Sequence, residues 1–119
     1  MTDQRFTLEG PPVVQERARK GQYGNWFDPT AKAKEAMSWS LKAQGAKPVK
    51  GEVGIEVVFY GAKKADLDNL IKALSDSGNG ILWDDDKQVI HIEADVVRVS
   101  DRPRTVLCVR EIKGELDVK

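Results

Sequence analysis

The clearest pattern in the chain is a strict alternation over Glu52–Tyr60, where Val53, Ile55, Val57 and Phe59 fall on one face. A period of two with β-branched residues predicts a half-buried strand. A second alternation covers residues 89–99. It sets Ile90, Ile92, Ala94 and Val96 against His91, Glu93 and Asp95. Residues 105–112 read as a last strand after a turn at Asp101-Arg102-Pro103-Arg104. Phe6 and Leu8 alternate in a short first strand that Gly10-Pro11-Pro12 closes. Two stretches change to helical spacing. In the first, Asp28 is the expected N-cap and Pro29 the first helical residue. Ala33, Ala36, Met37, Ser40, Leu41 and Gln44 then repeat on one face up to Gly45. In the second, Leu67, Leu70, Ile71 and Leu74 sit at i, i+3, i+4 and i+7, and Ser77-Gly78-Asn79-Gly80 stops the run. The order is β-α-β-α-β-β, with no repeat and no linker. It predicts one α+β domain over residues 1–119, a small mixed β-sheet with two helices packed on it.

Composition changes this picture little. No run is apolar for the ~18 residues a membrane span needs. Residues 1–5 have no apolar core behind a basic start, which speaks against a secretory signal, and a cytoplasmic protein is the default expectation. The single cysteine, Cys108, lies in a predicted strand and reads as a buried small hydrophobe rather than a reactive thiol. Lys and Arg number 19 and so do Asp and Glu, for a net charge of zero. A purely electrostatic nucleic-acid binder normally shows a basic excess, so here charge has to be read locally.

Two local features stand out. Residues 13–27 have no period but carry Gln15, Arg17, Arg19 and Lys20, followed by Gly21, Tyr23, Gly24, Trp26 and Phe27. Cations interleaved with aromatics suit a phosphate backbone; the alternative is a solvated loop whose aromatics fold back on the core. The second feature is acidic. Asp66-Leu67-Asp68-Asn69-Leu70-Ile71-Lys72 precedes a further run, Asp84-Asp85-Asp86, and Gln88. At a strand-to-helix junction Asp66 is still extended while Asp68 is near the cap, so the two can converge. Lys72 is one turn beyond Asp68 on the same face, placed to neutralise charge on a phosphate. Asp86 would complete a set of oxygen ligands for a hard cation such as Mg²⁺, and such sites make or cut phosphodiesters. The plainer reading has Asp66 or Asp68 capping the helix and Asp84 to Asp86 in a solvated turn. Lys63 and Lys64, just before Asp66, are either a solvated turn or a DNA contact. His91 is isolated and reads as an ordinary strand residue.

The run Lys64-Ala65-Asp66-Leu67-Asp68-Asn69-Leu70-Ile71-Lys72-Ala73-Leu74, then Asn79-Gly80-Ile81-Leu82-Trp83, then Asp85-Asp86-Lys87-Gln88-Val89, closely resembles the RusA family of Holliday-junction resolvases. That family's signature is Asp-Leu-Asp-Asn-x-x-Lys, an Asn-Gly turn and Asp-Asp-x-Gln. Phe6-Thr7-Leu8-Glu9-Gly10-Pro11-Pro12, with Gln15, Arg17 and Arg19 beyond, also resembles the family's first strand and basic loop, so the likeness covers nearly the whole chain. The resemblance implies a crossover junction endodeoxyribonuclease acting on branched DNA in recombination and repair. It implies Mg²⁺, with Mn²⁺ as a substitute, held by Asp66, Asp68 and Asp86, with Asp85 as a fourth carboxylate. It implies catalysis by those three aspartates and Lys72, with DNA contacts from Arg17, Arg19, Lys20, Lys63, Lys64 and Lys72. It further implies a homodimer that nicks two opposed strands of a four-way junction. Ile81-Leu82-Trp83 or an exposed strand edge is the candidate dimer contact, with core packing the alternative for Trp83. Ser75-Asp76-Ser77-Gly78 is more polar than the family's usual helix continuation and predicts an early helix end. Asp84 adds a third consecutive acid, which could shift the ligand assignment by one position.

Overall fold

The computed structural model describes residues 3–113; the tail expected to fray from Gly114 lies outside the described residues. Six strands and two helices follow in order. They are β1 (Gln4–Glu9), β2 (Arg19–Lys20), β3 (Trp26–Phe27), α1 (Ala31–Ala43), β4 (Glu52–Tyr60), α2 (Leu67–Gly78), β5 (Val89–Val97) and β6 (Arg104–Ile112), with a single 3₁₀ turn at Asp86–Gln88 before β5. The four long strands form one mixed sheet in the order β1-β6-β4-β5, and β2 and β3 form a separate small hairpin. The protein is therefore α+β, as expected. The hairpin is an addition, made of two-residue strands too short to leave a period in the sequence.

β4 and β5 run parallel, from Val53 beside Val89 to Tyr60 beside Val97, so the chain must return between them. Helix α2 makes that return. β6 pairs antiparallel with β4 on one side and with β1 on the other. Val53, Ile55, Val57 and Phe59 pack on one face with Phe6, Leu8, Leu107 and Val109, beneath Met37 and Leu41 of α1 and Leu70 and Leu74 of α2. The opposite face carries Glu56, Glu93, Asp95, Cys108 and Arg110, and no helix among the described residues covers it. Cys108 is therefore only half-buried, and that burial pushes its thiol up, toward the unreactive form.

Three details depart from the sequence pattern. Helix α1 begins at Ala31, not at Pro29, with Thr30 as its N-cap. Asp28 instead accepts from the Thr30 amide at 2.8 Å, and the Thr30 hydroxyl accepts from the Glu16 amide at 3.0 Å. The side chains that could have started the helix thus tie down the preceding loop. Helix α2 does not end early. Its polar last turn is accommodated because the buried Ser77 hydroxyl donates back to the Ala73 carbonyl at 2.7 Å. At the start of β5 the register slips between Val53 and Gly54, which leaves Val89 against the core and turns Ile90 outward.

Trp83 and Leu82 are wholly buried in the core. Gly78 allows this, because a side chain there would meet Leu82 Cδ1 at 2.8 Å and Trp83 Cη2 at 3.2 Å. The Ile81-Leu82-Trp83 segment is thus core, and the expectation that it forms a dimer contact is corrected. The sheet edges differ from each other. β1 is covered where the Gln44 amide bonds both the Thr7 amide and the Thr7 carbonyl. The outer edge of β5 pairs with no strand among the described residues and shows Ile90, Ile92 and Val97 to solvent. No helix among the described residues is long and apolar enough to cross a membrane.

Candidate active site

The connection from β4 to α2 sets the first carboxylates. Lys63 adopts φ +53°, a left-handed conformation unusual for a side-chain-bearing residue. Arg98, just beyond β5, holds this turn by donating to the carbonyls of Lys63 and Ala65. Asp66 follows at the N-cap of α2, in extended conformation (φ −76°, ψ 134°), yet its side chain makes no capping hydrogen bond. A carboxylate at that position ordinarily accepts from the first-turn amides. Here it stays exposed and unclaimed, which argues against the reading of Asp66 as a simple cap. Asp68, in the first helical turn, accepts only from the adjacent Asn69 amide at 3.0 Å. Both carboxylates sit at the N-terminal end of the helix.

Asp68, Asn69 and Lys72 line an open cavity of about 670 Å³ together with Gln15, Glu16, Arg17, Ala18, Asp28, Lys34 and Asp76. The wall opposite α2 is the start of the basic loop. It is fixed there by the Gln15 amide donating to the Asn69 carbonyl at 3.1 Å and by the Gln15 side-chain amide donating to Asp28 at 3.0 Å. Lys72 lies 3.7 Å from Asp76 and is mostly exposed, so its ammonium is free to turn into the cavity. Arg17 faces the same space. Arg19 is paired with Glu16 at 2.8 Å, while Lys20, Lys63 and Lys64 are exposed.

The cavity floor holds a cluster that sequence reading missed. Lys34 lies 2.7 Å from Asp28 and 3.1 Å from Asp76. Hydrogen bonds from Lys34, the Thr30 amide and Gln15 hold the Asp28 carboxyl down at about 2. Burial alone would lower Lys34, but its bonds to Asp28 and Asp76 outweigh this and raise it. Only the i,i+4 spacing of Lys72 and Asp76 hinted at the cluster, since Lys34 comes from α1 and Asp28 from the loop before it. Asp28 has its folded-state value depressed below the ordinary 3.8. Its contribution to stability is thus present above that value and is lost as pH falls toward about 2. Asp28→Asn should lower the melting temperature at pH 5 to 7, and the gap from wild type should narrow between pH 4 and 2. Thermal melts across that range check it.

The second acidic run is elsewhere. Asp84 pairs with Lys50 at 3.1 Å. Asp85 caps the 3₁₀ turn through the Lys87 amide at 2.9 Å, in a reciprocal box with Gln88. Gln88 also donates to the carbonyls of Val49 and Gly51, which pins the run to the start of β4. Asp86 accepts from the buried indole of Trp83 at 2.8 Å and is otherwise exposed. Asp86 therefore stands past the C-terminal end of α2, whereas Asp66 and Asp68 stand at its N-terminal end. Twelve residues of helix separate the two ends, roughly 18 Å at 1.5 Å per residue. Among the described residues no three His, Cys, Asp or Glu side chains gather to hold an ion. The expected convergence of Asp66, Asp68 and Asp86 within one chain is thus corrected. A parallel β4–β5 pair forces it, because the helix between them must carry the chain back along the full length of the sheet. His91 is a strand residue 3.4 Å from Glu93.

An α+β domain thus brings together two exposed carboxylates at a helix start, a lysine one turn on and a basic loop across an open cavity. Residues 9–110 match the sequence profile of the family described as Endodeoxyribonuclease RusA, and the chain belongs to that family. A search of curated protein sequences gave no match.

Proposed function

We propose that this protein is a Mg²⁺-dependent endonuclease that resolves four-way DNA junctions by paired, symmetric nicks, and that it works as a homodimer. Asp66 carries the reading. It is a carboxylate at a helix N-cap that caps nothing, beside Asp68, which stands one helical turn before Lys72. The donors are all carboxylate oxygens, which fits a hard divalent cation; Mg²⁺ commonly takes one or two carboxylates and completes its shell with water and substrate phosphate. Asp66 and Asp68 would hold the ion. When bound, it supplies an acidified water and polarises the scissile phosphate. Lys72 places a positive charge beside the phosphate where negative charge develops in the transition state. Arg17, Lys20, Lys63 and Lys64 bind the flanking backbone.

The homodimer accounts for Asp86. The open edge of β5 is the surface best suited to a second copy, since an unpaired strand with exposed Ile90, Ile92 and Val97 favours edge-to-edge pairing. Two copies of β5 related by a two-fold axis would pair antiparallel. Each copy's β5 start, which follows Asp86, would then lie beside the other's β5 end. That end is joined to the Asp66 loop by the Lys63 amide donating to the Arg98 carbonyl at 2.9 Å and by the Arg98 side chain. In such a dimer Asp66 and Asp68 of one chain meet Asp86 of the partner subunit, and two equivalent sites face a two-fold-symmetric substrate.

Purified protein incubated with four-way, forked and linear DNA, with and without Mg²⁺, tests the proposal. Cleavage of the four-way substrate in preference to the others, only with metal, is expected. Equal cutting of all three, or cutting in EDTA, would sink it. Replacing Arg17, Arg19, Lys63 and Lys64 by alanine should weaken binding to every DNA substrate. Each lost phosphate contact should reduce the log–log salt slope by about 0.9. Arg19 should contribute least, because Glu16 already pairs with it. A salt titration of binding by fluorescence anisotropy measures this.

A further inference from the structure

The hairpin formed by β2 and β3 is not explained by metal chemistry or by phosphate binding. Its strands pair Arg19 with Phe27 and Lys20 with Trp26. A tight turn closes it, with the Gly21 amide donating to the Asn25 carbonyl at 2.6 Å and Gly24 at φ +86°. Three aromatics on this small element stay in solvent. Tyr23 at the tip is 90% exposed, Trp26 68% and Phe27 46%. They do not fold back on the core, which is filled from the sheet and the two helices. Exposed aromatics grouped on one element mark a contact surface rather than ordinary scatter.

Two further observations choose the occupant. The aromatics stand across the hairpin from cations, Phe27 beside Arg19 and Trp26 beside Lys20, and Arg17 is just before it. This is the chemistry of surfaces that hold a nucleic-acid strand by its phosphates while stacking its bases. The hairpin's stem is also continuous with the cavity that holds Asp68 and Lys72, which Arg17 and Ala18 line. The stem is anchored where the chain enters it. Gln15 is bonded to the Asn69 carbonyl of α2, and Glu16 to the Thr30 hydroxyl at 3.0 Å. The direction of the hairpin is therefore fixed relative to the carboxylates. About four extended residues reach on the order of 13 Å, the rise of roughly four nucleotides along the axis of a duplex.

We infer that the β2–β3 hairpin is a stacking platform for unstacked nucleobases beside the scissile phosphate, with Tyr23 and Trp26 as the positioning residues that favour branched DNA over continuous duplex. A continuous duplex keeps its base faces covered by neighbouring pairs. At a branch point the stack is interrupted and a base face becomes available to an aromatic ring. The hairpin thereby converts an open base face into correct placement of the adjacent phosphate. This inference rests on the endonuclease reading above but uses none of its metal ligands.

Photo-crosslinking tests it directly. Four-way junctions carrying 5-iodouracil either at the branch point or in mid-arm are bound by the wild-type protein in EDTA, irradiated, and the adducts mapped by mass spectrometry. Crosslinks to Tyr23 or Trp26 from the branch point, and none from mid-arm, are expected. In parallel, Tyr23→Ala with Trp26→Ala should reduce affinity for the four-way junction by about tenfold or more, the effect of losing one or two stacked bases. Affinity for a linear duplex should change less than twofold, and Trp26→Phe should restore most of the loss. Adducts only at other residues, or an equal loss on both substrates, overturn the inference. So does a fall in molecular mass by light scattering in the alanine variant, which would assign the aromatics to a contact with a second copy of the chain. If the wild type cleaves four-way junctions but the aromatic variants bind and crosslink as it does, the stacking role fails alone. If the wild type neither binds nor cleaves branched DNA, the function reading fails and the platform with it.

Discussion

Asp66→Asn, Asp68→Asn and Asp86→Asn should each abolish cleavage of a four-way junction while leaving its binding intact or tighter. Each substitution keeps the shape of the side chain and removes one negative charge. Asp66 and Asp86 are exposed, and the hydrogen bonds they do or do not make show that neither is needed to hold a helix together. Asparagine at either position should therefore fold normally, with a melting temperature within a few degrees of wild type. The rate loss should be roughly a hundredfold or more, the scale seen when one charge-stabilising group is removed from a transition state. Binding should not suffer, because a polyanion approaches a less negative surface more easily. Single-turnover cleavage and gel-shift titration on the same substrate separate the two effects. Wild-type rates in all three variants would remove the carboxylates from the site.

The second large effect is a rescue. Asp66→Asn and Asp86→Asn, each inactive alone, should regain nicking activity when mixed and allowed to exchange subunits. If Asp66 and Asp86 meet across a dimer, a mixed dimer has one site with both substitutions and one site with neither. Random exchange would return about a quarter of the wild-type number of intact sites, since half the dimers are mixed and each carries one good site of two. If instead both aspartates of a site came from one chain, every site in every dimer would carry a substitution, and mixing would restore nothing. A supercoiled plasmid with an extruded cruciform reads the difference. Wild type should give linear product from paired nicks, and the mixture should give nicked circles. No recovery after full exchange, verified by mass-tagged subunits, would place Asp86 outside the composite site. The rescue rests on the proposed pairing of two β5 edges, which would bring together the acidic runs that the helix and the parallel strand pair separate in one chain.

Much of the protein was readable from its sequence. The recurrence of Val53, Ile55, Val57 and Phe59 at every second position determined a strand with one buried face, because one-sided burial leaves a period of two. The spacing of Leu67, Leu70, Ile71 and Leu74 determined a helix, and the motif from Asp66 to Gln88 carried the family. Local chemistry was also readable where it depends on neighbours in sequence: Asp68 and Lys72 share a helix face and meet at the same cavity. The sequence left open whether Tyr23 and Trp26 fold inward, since an aromatic in an aperiodic loop has no period to betray its burial. It also left open whether Trp83 was core or contact. Volume decided that: Gly78 leaves room for the indole, and the core closes over it. The Lys34 bridge between Asp28 and Asp76 required two helices to pack before it existed. Most consequential was the placing of Asp86. In sequence it follows Asp68 closely enough to suggest one pocket. In space a helix and a parallel strand pairing put it at the far end of α2, because a chain that leaves one end of a strand and enters a parallel neighbour must first travel the length of the sheet.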